Sequence, residues 1–276
     1  MTSLRELRED PDIRAEAAAL RGADDAIEEA VSVVEPEDVV PLNVVSFSHR
    51  PTPQTRAMVE QIGGIEKLRK MTASFYEKAF ADPHLDQFIR VHGDHHGERF
   101  AAWIAEKLGD AGRPWTRERA QRGRCPFSAH GHRIEDAHDR SSAHFAAWHS
   151  PKRANEDWGE HFKLDDCRVW MRLHFWALRD AGLADTPFGK YYVRFIAHFV
   201  SVYERSAPPF ARESLRWSAD PANIAAYLEC GRRMPDVMGL PLGLALETLP
   251  EDERDYSGSG ADDPAWPYEL RAPAVE

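Results

Sequence analysis

The chain has 276 residues, of which 46 are acidic and 35 basic, for a formal net charge of −11. That length buries a core without staples, and the charge repels a nucleic-acid backbone unless a local basic face exists. The three cysteines, Cys125, Cys167 and Cys230, stand far apart in no metal-type spacing, so neither a disulfide framework nor a zinc knuckle is expected. No apolar run reaches a membrane span, and MTSLRELREDPD lacks the basic start and apolar stretch of a signal peptide. The expectation is a cytoplasmic protein that meets no membrane and no nucleic acid.

In chain order, residues 1–35 predict acidic, alanine-rich helix, and Glu35 to Thr55, with four prolines among β-branched residues, predicts an extended arm. Residues 1–55 are thus read as an N-terminal arm. From Thr55 the apolar positions Met58, Ile62, Ile65, Leu68, Met71, Phe75 and Phe80 recur at helical spacing, and the pair Gly63-Gly64 breaks them into two helices with a tight corner. Phe100, Trp103, Ile104 and Leu108 form a further helical stripe that ends at Gly109.

Residues 114–160 are long, basic and histidine-rich, with few apolar groups. Inside a compact domain such a segment is expected to serve a ligand or a function. Its basic stretch RPWTRERAQRGR reads as a solvated surface or as a contact for an anionic group. Leu164, Val169, Trp170, Leu173, Phe175, Trp176 and Leu178 then give a strongly apolar helix opened by Asp165-Asp166, which suits the positive end of its dipole. Phe188 to Tyr203 is aromatic on nearly every side and must be buried between helices. Residues 56–205 therefore form the main domain. Residues 206–276 follow as an extension, with one helix from Pro221 to Met234 and an acidic terminus of disordered composition. Alternating strand patterns are nearly absent, so the fold class is all-α.

The segment IGGIEKLRKMTASFYEKAFADPHLDQF, Ile62 to Phe88, resembles the opening of the truncated haemoglobins, most closely their second group, in its glycine pair, its Phe-Tyr pair (Phe75-Tyr76) and its D-x-x-L turn (Asp82 to Leu85). FAAWIAEKLGDAGRPW resembles that family's distal helix, and LDDCRVWMRLHFWALRDAGL its tryptophan-bearing helix. The resemblance covers roughly half the chain and implies a globin-like helical sandwich holding haem b. It implies Tyr76 and His96 as the groups facing a bound O2, NO or peroxide, with His95 next in register. Phe88, Phe100 and Trp170 would pack on the porphyrin.

For the iron ligand the resemblance points first to His149, whose His-Ser-Pro matches the family's His-x-Pro, with Phe145 one turn before it. His144, with Trp148 one turn after it, is the rival, and His161 the third choice. Chemistry requires a neutral imidazole on iron inside an apolar, aromatic cage. The implied activity is diatomic-ligand binding, extended to dioxygenase or peroxidase-like oxidation of a small organic substrate; a homodimer stays open. Two other readings stand beside it: a haem-less globin-fold sensor or interaction module, and a non-haem oxygenase or hydrolase drawing on His92, His95 or His96 with His130, His132 or His138.

Overall fold

The computed structural model describes residues 40–45, 48–121 and 140–254, and most of these are helical. The expected helices at 1–35, the acidic terminus and His130, His132 and His138 lie outside the described residues. Among the described residues, strand is confined to a hairpin, β1 (Val44–Val45) against β2 (Ser48–His49). The expected extended arm thus folds back on itself. It is anchored through His49, whose Nδ1 bonds the Lys107 carbonyl at 2.8 Å and whose Nε2 meets the Tyr191 hydroxyl.

Helix α1 (Pro53–Gln61) starts where the sequence turns periodic. Thr52 and Thr55 cap it reciprocally, and Pro53 takes the first turn, where its missing N–H costs nothing. Gly63 and Gly64, both at positive φ, form the corner into α2 (Gly64–Ala81), a conformation glycine adopts without steric cost. The turn helix α3 (Pro83–Asp86) follows, capped by Asp82. Helix α4 (His96–Lys107) then crosses α2 very closely. Thr72 Oγ1 bonds the Gly97 carbonyl at 2.8 Å, and a Cβ on Gly97 would stand 3.3 Å from the Ala73 nitrogen. This approach sets Tyr76 beside the first turns of α4.

The histidine-rich segment contributes α5 (Pro114–Gln121) and α6 (Arg140–Trp148), two short helices in a stretch whose sparse apolar residues give no readable period. Helices α7 (Leu164–Asp180) and α8 (Pro187–Ser201) agree with their apolar patterns and form the centre of the core. Their corner is tight. Gly189 packs so closely on it that a Cβ there would sit 2.1 Å from the Leu183 oxygen and 2.6 Å from that of Ala184. Both atoms are backbone, so Gly189→Ala is expected to cost at least about 1–3 kcal/mol, read as a lowered urea midpoint; an unchanged midpoint would refute the corner.

The C-terminal extension carries α9 (Phe210–Trp217), α10 (Pro221–Glu229) and α11 (Leu242–Glu247). Trp217, Tyr227, Met234 and Val237 share one apolar cluster with Phe75, Leu85, Val169 and Leu173, so this extension packs directly on α2, α3 and α7. Tyr227 donates to Asp82 at 2.9 Å, and the same carboxylate caps α3 through the amides of His84 and Leu85. No helix among the described residues is long and apolar enough to cross a membrane.

Candidate functional site

Tyr76 and His96 are brought together. Their rings stack at 5.3 Å with 25° between planes, and Phe75 and Phe80 pack on Tyr76 at 5.0 and 5.7 Å. Among the described residues the Tyr76 hydroxyl makes no hydrogen bond, so its proton is available to a ligand. Burial pushes that phenol up to about 12, which keeps the proton in place at neutral pH.

His96 is engaged at both nitrogens. Nε2 donates to the Val91 carbonyl at 2.9 Å, and Nδ1 accepts from Arg99 Nη2 at 3.1 Å. Burial lowers its pKa, in keeping with a neutral ring. Arg99 is itself clamped by Asp94, whose carboxyl the guanidinium holds down at about 2. His96 thus has both ring nitrogens engaged and stacks on Tyr76 as a fixed plate. His95 is exposed and faces Glu98 at 3.5 Å.

Phe100 and Trp170 complete this group, with Trp170 stacked on His174 at 4.5 Å and 6° between planes, and Phe75 edge-on to both. His174 is fully buried; its Nε2 shares a 2.9 Å hydrogen bond with the Tyr192 hydroxyl, and its Nδ1 has no partner among the described residues. Sequence reasoning passed over it, although its place one helical turn after Trp170 on the same face was a usable signal. Burial drives its pKa down to about 3, and that of His49 to about 4, against an ordinary 6.5.

The sign of the consequence follows from linkage. Histidines held neutral in the fold stabilise it fully above pH 6.5, and that stability is lost as pH falls towards 4 and 3. The opposite case is His84. Burial alone would lower its pKa, yet its 2.6 Å bond with Asp166 and the neighbouring carboxylates raise it, so its contribution is present below 6.5 and fades as pH climbs through the raised value. Stability should therefore fall by about 1.4 kcal/mol per pH unit for each of His49 and His174 below pH 6.5, and His49→Gln or His174→Gln should flatten the slope. Urea midpoints between pH 7 and 4.5 measure this; a pH-independent wild type would contradict it.

A second aromatic group forms where α6 ends. His149 stacks on Phe145 at 4.1 Å and meets the edge of Trp158 at 4.5 Å. Its Nδ1 lies 2.8 Å from the Phe145 carbonyl, which can only accept, so Nδ1 carries the proton and Nε2 keeps its lone pair. Nε2 has no hydrogen-bond partner among the described residues. It faces Gly159, where a Cβ would come within 3.5 Å of it.

The other two ligand candidates are placed differently. His144 Nδ1 is bonded to the Tyr203 hydroxyl at 2.5 Å, and His161 is an exposed residue stacked on Trp148 at 4.1 Å. Trp148 buries an indole N–H that has no partner among the described residues. Phe162 fills the middle of the group, touching His144, Trp148 and Phe88. Phe88 is buried under the Arg153 guanidinium, which lies 4.7 Å from its ring and donates to the Trp148 and Glu160 carbonyls. Arg153 thus closes the 149–160 loop over His149.

The described residues hold no group of three or more His, Cys, Asp or Glu side chains arranged to grip a metal ion. Comparison of the chain with protein-family models, with curated proteins and with solved structures finds no match.

Proposed function

We propose that this chain is a haem-binding helical protein of the truncated-haemoglobin kind, a globin-like sandwich that binds oxygen or nitric oxide. The observation that carries the reading is the state of His149: its Nδ1 proton is tied to the Phe145 carbonyl and its Nε2 lone pair is unclaimed. A histidine that ligates a metal through one ring nitrogen characteristically donates the other N–H to an oxygen acceptor, which fixes the tautomer and raises ligand basicity. The residue types suit the group: an imidazole in His149, aromatic side chains in Phe88, Phe100, Phe145, Trp148 and Trp170, and in Tyr76 a phenol with no hydrogen bond among the described residues. They stand in two groups, His149 with Phe145 and Trp158, and Tyr76 with Phe75, Phe80 and His96. Gly159 lies against the His149 Nε2, so haem b would have to enter between the groups and displace the 149–160 loop.

Bound haem would supply an iron position for a diatomic ligand. The chain's own residues do the rest. His149 would hold the iron through Nε2, with ring rotation limited by Phe145 and Trp158. Tyr76 would present its proton to the far atom of the ligand, aligned by the His96 plate. Phe75 and Phe80 pack on the Tyr76 ring, and an apolar surrounding strengthens a hydrogen bond that the phenol gives. An oxidative activity on a small organic substrate belongs to the same proposal as an extension of this chemistry.

Titration of the purified protein with haem, followed by absorbance, tests the reading. The expected result is saturation at one haem per chain and, after reduction and addition of CO, the spectrum of a histidine-ligated haem. His149→Ala should lose that spectrum, and His144→Ala should keep it. Failure of the wild type to take up haem would favour the sensor or interaction module, and loss only in His144→Ala or His161→Ala would reassign the ligand.

A further inference from the structure

We propose that the cleft between α3, the 152–154 segment, α7 and the residues after α10 is a binding site for a small aromatic carboxylate. None of the residues in the haem reading lines it, so the two proposals stand or fall separately. Its volume of about 800 Å³ lies within the range of small-molecule sites, roughly 300–1,000 Å³. Its open lining is largely apolar: Met238, 36% exposed, stands with the exposed Pro83, Ala154 and Pro235, and the buried Val169 of α7 and Met234 close it behind. Methionine sulfur and its flexible chain suit the edge or face of a flat ring.

The uncompensated charge at the cleft is positive. Lys152, His84 and Arg233 border it, and Asp82 is the carboxylate among its lining residues. Asp82 has no capacity to repel a ligand in practice, because it is 1% exposed and already accepts from two amides and the Tyr227 hydroxyl. Lys152 is neutralised by Asp86 at 2.8 Å, and His84 by Asp166 at 2.6 Å. Arg233 is different: it is exposed, with neither ion pair nor hydrogen bond among the described residues. Its planar fork matches a carboxylate in two parallel hydrogen bonds, with the methionine wall left to take the ring.

The probe is 2-naphthoate, with 2-naphthamide as its uncharged counterpart, measured by calorimetry on the full chain, wild type and Arg233→Gln. The expected result is one naphthoate per chain, with affinity at least about 10-fold weaker in Arg233→Gln and for the amide. Because Arg233 is exposed, the variant should keep the wild-type melting temperature, and that is checked alongside. No binding of naphthoate would overturn the proposal. So would equal affinity in Arg233→Gln, which places the ligand elsewhere, or equal affinity of the amide, which removes the role of charge.

Discussion

Tyr76→Phe is expected to speed oxygen dissociation by about 10- to 100-fold, because a hydrogen bond to a charged partner is worth roughly 1.5–3 kcal/mol. The case rests on an unusual economy in the fold. The Tyr76 hydroxyl has no partner among the described residues, so the substitution removes no internal hydrogen bond, and the ring contacts with His96, Phe75 and Phe80 are retained. Folding stability should therefore change little. Dissociation of CO, which carries far less negative charge on its outer atom, should change much less than that of oxygen. Stopped-flow measurement of both rates separates the effects. An unchanged oxygen rate would mean that the phenol does not reach the ligand.

His96 is informative as a contrast. Both of its nitrogens are committed, to Val91 and to Arg99, so its donor is not available. The sequence places Tyr76 and His96 as equals, and only the tertiary hydrogen bonds distinguish a donor from the plate that positions it.

Much of the scaffold was readable from periodicity. The Gly63-Gly64 corner, the apolar stripe of α4 and the all-round apolar patterns of α7 and α8 each follow from local chemistry, and the folded helices agree with them. Helix α9 was missed because Pro208-Pro209 reads as an ending, yet those prolines precede a new amphipathic turn whose apolar face covers α7. The hairpin at Val44 to His49 depends on contacts with Lys107 and Tyr191, more than 50 residues away in sequence, which no window of neighbours reveals.

The site divides in the same way. Phe75, Tyr76 and Trp170 are marked by spacing along helices that are long and regular. His149 could not be separated from His144 and His161 by sequence, because all three lie in or beside a short helix within a stretch of weak pattern. What distinguishes them is three-dimensional: a carbonyl four residues back for His149, the Tyr203 hydroxyl for His144, and exposure on Trp148 for His161. His174 escaped notice for a related reason, since its role as a neutral, buried stacking partner of Trp170 is created by burial and not by any motif.

The second large effect is at His149. Replacing it with glycine removes the imidazole but leaves the Phe145 carbonyl and the space beside Gly159, so a free imidazole can occupy the vacated position. Resonance Raman spectroscopy of the reduced, haem-loaded protein reads the iron–histidine stretch directly. The band is expected in the wild type, absent in His149→Gly, and restored when imidazole is added to the variant. A wild type without the band, or a His149→Gly variant that keeps it without imidazole, would contradict the account at its centre.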